Sequence, residues 1–299
     1  MNSTPTKTNF IRLSLGAIGM SLLALAFVFF GGMRASAADH TVNPGDSIQT
    51  AIDSAASGDS IIINAGTYNG SILVTKPLNI RGVGNVVINT DAGSSSIKGL
   101  SIENTTNVKI ENIIIDGNNG NSPAQTGLDI NSASNVVISN VVARNYGKNG
   151  VAVITQHDPS YVVGKNVTLS NVTVDNAAWA GIAFYAKSTL GNEVDLSGIK
   201  FDGTTIISNT QRGIQFGDAS DVKNIYGVGA DGAVELGHVV LNNNVVNFAN
   251  DNKKAIVTIA NTSTINGRAI VAADLDGIFA RATIASRSPK VPPKTGVVL

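Results

Sequence analysis

The sequence predicts an all-β solenoid in which short parallel strands stack coil upon coil behind a short capping helix. Three observations predict it. One phrase is written three times, as NVKIENIIIDG from Asn107, NVVISNVVARN from Asn135 and NVTLSNVTVDN from Asn166. A second phrase recurs as GLSI at Gly99, GLDI at Gly127, GVAV at Gly150, GIAF at Gly181 and GIQF at Gly213, with steps of 28, 23, 31 and 32 residues. Self-similarity at such a period marks a repeat architecture whose units bury their apolar faces only by stacking. Finally, charged residues make up only 14% of the 299 residues, against 43% hydrophobic ones. Asn, Ser, Thr, Gly, Val and Ile fill the remainder, the vocabulary of strands joined by tight polar turns.

In chain order, residues 1–37 form a targeting segment. Lys7 and Arg12 give a basic start, Leu13 to Phe30 is almost wholly apolar, and Ala35-Ser36-Ala37 offers small residues for cleavage. The apolar run is also about long enough to stay as a membrane anchor. Either way the remainder is expected outside the cell, secreted or on its surface. There is no Cys, so no disulfide, thiolate metal site or Cys nucleophile is available. Next, NPGDSIQTAIDSAASGDSIIINAGTYNG predicts a helix over about 47–56, capped by Asp46 with Gln49 answering three residues on. Ile48, Ala51, Ile52 and Ala55 fall on one face of it. The pieces PGDSIQTAI, GD, AGTY and KPLNIRG resemble, in order and spacing, the opening of right-handed parallel β-helix proteins of the pectate-lyase-like superfamily. That resemblance implies a right-handed parallel β-helix over 38–271. It does not imply one activity, because lyases, hydrolases, esterases and noncatalytic surface proteins share such an opening.

Within each coil, Val108 and Ile110 alternate with Lys109 and Glu111, which puts the apolar pair inside; Ile113 and Ile115 continue the inside set after a turn at Asn112. Asn112, Asn140 and Asn171 occupy one slot of the repeat and are expected to stack as an inward-facing structural ladder. Four residues further on, Asp116, Arg144 and Asp175 share an outward slot. The two carboxylates lie two rungs apart, about 9.6 Å, close to the spacing an inverting glycosidase uses. Arg144 between them is expected instead to make a solvated salt-bridge ladder.

Other chemical motifs are sparse. Asn89-Thr90-Asp91 lacks the downstream partners of polygalacturonase-like hydrolases. His40, His157 and His238 have no metal-ligand spacing and read as exposed loop residues. From about Ala272 an irregular tail is expected, in which Pro292-Pro293-Lys294-Thr295-Gly296 partly matches a sortase signal, so cell-wall attachment stays open beside membrane attachment. The 21 basic and 21 acidic residues cancel, and no nucleic-acid partner is expected.

The spacing from the glycine phrase to the next repeat phrase grows from 8 residues in the first two coils to 16, 17 and about 25 in the later ones. The insertions fall at one corner and are expected to form a wall of loops, the usual place for binding groups on a rigid scaffold. Tyr161, Tyr185, Asp218, Asp221 and Tyr226 are the ligand-binding candidates there: aromatics stack on sugar faces, and the carboxylates offer oxygen ligands to Ca²⁺. Two functions stand side by side. One is an exported protein that binds, and in one version cleaves, an extracellular polysaccharide as a lyase or hydrolase; the other is a noncatalytic surface stalk or adhesin.

Overall fold

A computed structural model describes residues 36–90, 98–117, 125–157, 164–188, 194–195, 198–217, 226–227, 234–251 and 255–286. The fold is the right-handed parallel β-helix, with three columns of strands. The first half of the repeat phrase builds one column, from Asp39–Val42 through Ser60–Asn69, Asn79–Asn89, Thr106–Asp116, Ser134–Tyr146, Lys165–Ser170, Lys200–Asp202, Val234–Leu236 and Ile256–Ala260 to Arg281–Ala285. Its second half builds another, which continues through Thr173–Ala177, Thr204–Ser208, His238–Asn242 and Thr264–Ile265. The glycine phrases build the third, from Ile72–Val74 through Lys98–Glu103, Thr126–Asn131, Asn149–His157, Ala180–Ser188 and Arg212–Phe216 to Val246–Asn250.

Register explains why the sequence repeats. Ile61, Ile80, Ile110, Ile138, Leu169 and Phe201 stand one above another on the inside of the first column. In the glycine column Ile72, Leu100, Leu128, Val151, Ile182, Ile214 and Phe248 do the same. All are buried, and each such side chain contributes on the order of 1.5–3 kcal/mol. The glycines that open the phrases are required by close approach. A Cβ at Gly150 or Gly181 would come within 2.1 Å of the inward Val174 or Ile207 side chain of the second column.

Towards the C-terminal end the core turns aromatic. Phe184 stacks on Phe216 at 4.8 Å, and Phe279 meets Phe216 and Phe248 edge-on. This corrects the expected end of the solenoid at 271. Arg281–Ala285 pairs in parallel register with Ile256–Ala260, because Phe279 supplies an apolar anchor that folds the chain back onto the stack. The Pro292 to Gly296 motif, like the targeting segment up to residue 35, lies outside the described residues.

At the other end the helix spans Ile48–Ser54, and Ile48, Ile52 and the following Ala55 are buried against the first coil. Its cap is Ser47, whose Oγ accepts the Thr50 N–H, in place of the expected Asp46. Asp46 instead accepts the Asn43 N–H, and Gln49 ties the helix to Leu73 by exchanging hydrogen bonds with its backbone. His40 and His238 lie in strands, not loops, while His157 ends one.

The Asn ladder exists and faces outward. Asn140 Nδ2 donates to Asn112 Oδ1 at 3.1 Å and Asn171 Nδ2 to Asn140 Oδ1 at 3.2 Å, yet all three are exposed. The reason is backbone conformation: Asn112, Asn140 and Asn171 have φ of 59°, 52° and 51°. A left-handed residue at a corner breaks strand alternation and turns its side chain to solvent; Asn tolerates it where β-branched residues do not. Gly203 (φ 68°) takes the next rung, and there Asn171 Oδ1 accepts the Thr204 N–H. A parallel ladder runs at Asn107, Asn135 and Asn166.

Two outcomes follow from these contacts. Asn140→Ala, which forces Ala into the left-handed region, should lower stability by about 1–2 kcal/mol, and Asn140→Gly by less; urea unfolding midpoints measure both. Asp59 accepts hydrogen bonds from the Ala38 N–H, His40 Nε2 and the Ala56 N–H, in that order of effect, and these hold its carboxyl near a pKa of about 2. A depressed folded-state pKa gives stability that is complete above the ordinary value of 3.8 and lost as pH falls through about 2. Asp59→Asn should therefore melt below wild type at pH 6, with the gap closing between pH 4 and 2.

Candidate functional site

Strand alternation alone leaves the outer positions of a surface column open to solvent. The glycine column departs from this over five rungs: the outward Ser101, Asp129, Ala152, Ala183 and Gln215, stacked in register between the exposed Leu73 and the half-buried Ala249, are buried. Polar groups gather at both ends of this row, four rungs or about 19 Å apart at the ~4.8 Å rung spacing.

At one end the Lys98 ammonium bridges two carboxylates, 2.9 Å from Glu103 Oε1 and paired with Asp129, which is 1% exposed. Burial pulls the Lys98 ammonium down, but Asp129 and then Glu103 outweigh it, and the net direction is upward. Lys98 is therefore a held cation rather than a proton acceptor.

At the other end Arg212 lies over the Trp179 ring, 4.5 Å from its centre. Its Nη1 donates to Asp251 Oδ2 at 3.0 Å, and the same oxygen accepts from Gln215 Nε2 at 3.2 Å. Gln215 is fully buried, and its Oε1 has no hydrogen-bond partner. Trp179 remains 38% exposed on a face its partner keeps in place. Between the two ends, Tyr185 Oη reaches Asn149 Oδ1 at 3.4 Å and the Lys148 ammonium sits 5.8 Å from its ring. A partly exposed indole held beside a guanidinium can take the C–H face of a sugar ring, with hydroxyls on Arg212 N–H groups that Asp251 does not use.

The other candidates fare differently. Register places Arg144 between Asp116 and Asp175. Its Nε donates to Asp116 Oδ2 at 2.7 Å, Asn145 donates to the other Asp116 oxygen, and Asp175 accepts from Asn209 at 2.6 Å. Asp116 is only 8% exposed, so the expected solvated ladder is a half-buried pair whose charges are already matched. The left-handed Asn145 next to Arg144 adds its amide N–H to the same carboxylate. Of the loop residues, Tyr185 lies on the glycine column, while Tyr161, Asp218 and Asp221 fall outside the described residues. Tyr226 begins a short strand, Tyr226–Gly227, that pairs in parallel with Val194–Asp195 from the preceding coil's insertion. Among the described residues no group of three or more His, Asp or Glu side chains is placed to hold a metal ion. On the first column, a shallow depression lined by Ser60, Asn79, Arg81, Lys109 and Glu111 has its charges engaged with one another.

Sequence reading missed Lys98, Asp129, Arg212 and Asp251. The available signal was position: Lys98 and Arg212 immediately precede glycine phrases, and Trp179 stands two residues before one. Trp179 is the sole tryptophan, so its setting has a direct readout. Arg212→Ala should shift its emission to the red and raise its quenching by acrylamide; an unchanged spectrum would mean the stacking is absent in solution.

A family model described as rhamnogalacturonase A/epimerase, pectate lyase-like matches residues 38–215. No curated protein matches the chain significantly. Solved structures of similar shape include the pectate lyase Pel9A, with 14% identity over 76% of this chain and 69% of that one and a TM-score of 0.45. An alginate lyase from Paenibacillus sp. str. FPU-7 shows 13% identity over 84% and 99% of the two chains and a TM-score of 0.39. A pectin methylesterase mutant in complex with a hexasaccharide shows 14% identity over 85% and 90%, with a TM-score of 0.36.

Proposed function

The chain belongs to the rhamnogalacturonase A/epimerase, pectate lyase-like family, and from that premise we propose that it is an exported protein that binds an extracellular polysaccharide on the glycine-column side of its solenoid. Family membership supports a carbohydrate-related role, and the solved structures of similar shape include a pectate lyase and an alginate lyase by description. The observation that carries the reading is Trp179, partly exposed with the Arg212 guanidinium stacked over its ring. Binding there costs little side-chain ordering, because the indole is already immobilised. Tyr185 lies on the same column, and Tyr161, Tyr226, Asp218 and Asp221 of the insertions are further candidates for glycan contact by side-chain chemistry. Carboxylates such as Asp218 and Asp221 are ligands Ca²⁺ accepts by chemistry, while among the described residues no group of three or more His, Asp or Glu is placed to hold an ion.

A second reading, a noncatalytic stalk or adhesin, draws on a specific observation. The cations of this surface, Lys98 and Arg212, and Arg144 on the second column are each paired with a carboxylate of the protein itself. Depolymerisation assays on acidic and neutral polysaccharides, with and without Ca²⁺, separate binding from cleavage.

The binding claim is tested by titration calorimetry against whichever polysaccharide the wild type retains. Trp179→Ala should weaken binding tenfold or more, about 1.4 kcal/mol, with the strand-dominated circular dichroism intact. Undiminished affinity in that variant overturns the assignment of the site.

A further inference from the structure

The start of the first strand is held by a carboxylate that lacks a permanent counter-charge. Asp59, the residue before Ser60–Asn69, is only 6% exposed. Its Oδ1 accepts the Ala38 N–H at 2.9 Å, while its Oδ2 meets His40 Nε2 at 2.8 Å and accepts the Ala56 N–H at 2.9 Å. These donors keep the carboxyl ionised, the Ala38 N–H with the largest effect. Among the described residues its ion-pair partner is His40, which carries charge only when protonated. A carboxylate withdrawn from water is costly without a full positive partner.

Ala38 also stands at a boundary in the chain. Ser36, Ala37 and Ala38 are exposed and lie outside any strand or helix, the condition in which backbone is open to peptidases. The compact unit of the fold begins at Ala37. In the sequence, Ala35-Ser36-Ala37 is the small-residue pattern after which a leader is removed. Immediately beyond it the chain is pinned: the Ala38 carbonyl accepts the Ser60 N–H at 2.8 Å, and Asp39–Val42 pairs with Ser60–Asn69.

We propose that a leader peptidase cuts between Ala37 and Ala38, and that the ammonium created at Ala38 is the counter-ion of Asp59. One water adds across the peptide bond; its oxygen completes a carboxylate on Ala37 and both of its protons go to the Ala38 nitrogen. That nitrogen already lies 2.9 Å from Asp59 Oδ1, so a neutral hydrogen bond becomes a charge-assisted one with no displacement of the strand. Processing thereby fastens the first rung of the solenoid to the turn behind its capping helix. The position of the cut matters to the residue. A cut one bond earlier leaves Ala38 an amide, and a cut one bond later removes the nitrogen that Asp59 holds. The inference rests on the reading of the chain as exported, and not on what it binds.

The test expresses residues 1–299 in a secreting bacterial host and weighs the exported protein intact by mass spectrometry. The expected mass is that of residues 38–299. Acylation of the α-amine by acetic anhydride at pH 7, followed on the N-terminal peptide, then reads the ion pair, because only the neutral amine reacts and a carboxylate at this distance keeps it protonated. Asp59→Asn keeps an acceptor but loses the charge, and its α-amine should react at least about fivefold faster than that of wild type. Asp39→Asn, which removes the exposed carboxylate next to Ala38, is the matched control and should react at the wild-type rate. A Gly inserted between Ala37 and Ala38 moves the ammonium one residue away while leaving the Ala38 N–H in place. It should lower Tm by about 2 °C or more in the wild-type background and leave that of Asp59→Asn unchanged. An exported chain with any N-terminus other than Ala38, or equal acylation of wild type and Asp59→Asn, overturns the proposal and leaves the exported reading intact. A chain held inside the cell with residues 1–37 still attached overturns both.

Discussion

The structure depends on the hydrogen bonding of each parallel strand to the strand one coil earlier. That bonding fixes the rung spacing and, with it, the identity of every side chain's neighbours: Ile110 meets Ile80 and Ile138 and nothing else along its column. Like residues must therefore stack upon like. Inside, this makes a continuous aliphatic core; outside, it makes rows in which a preference at one rung is repeated at the next. The amide ladders and the matched Asp116–Arg144 pair are both consequences of that one constraint acting on different slots.

What the sequence made legible was whatever the constraint repeats. The glycine phrases and the apolar slots recur because register demands them, so the three columns and their inward faces follow from spacing alone. The Asn slot was also visible, but its direction was not. Alternation predicts the side of a residue only within a strand, and Asn112 is a left-handed corner at which alternation restarts. The helix cap shifted by one residue for a related reason: Asp46 and Ser47 are both competent caps, and only the Asn43 N–H decides which one is occupied elsewhere.

The candidate site was the least legible part because it is the part that does not repeat. Trp179, Arg212 and Asp251 come from three rungs and share no slot; their contacts span 36 and 39 residues for the hydrogen bonds of Asp251. A scan for motifs finds neighbours in sequence, whereas a solenoid makes neighbours at coil-length intervals that vary with each insertion. Asp116, Arg144 and Asp175 were conspicuous for the opposite reason: they recur at one slot, and register stacks them directly.

The short hairpin near the end of the second column has a meaning of its own. Thr264–Ile265 is followed by Asn266 and Gly267, both with positive φ, and Arg268–Ala269 returns antiparallel along the outer edge. An Asn-Gly pair of this kind makes the tight turn that suits strand twist. Every earlier rung offers its free edge to a parallel successor; this one offers it to a reversed strand, so the pattern that built the column cannot be copied further. A stack of nearly identical coils is a ready template for other chains to add to without limit. The turn at Asn266-Gly267 thus terminates the second column: it withdraws that column's edge from parallel extension by changing the direction of one strand.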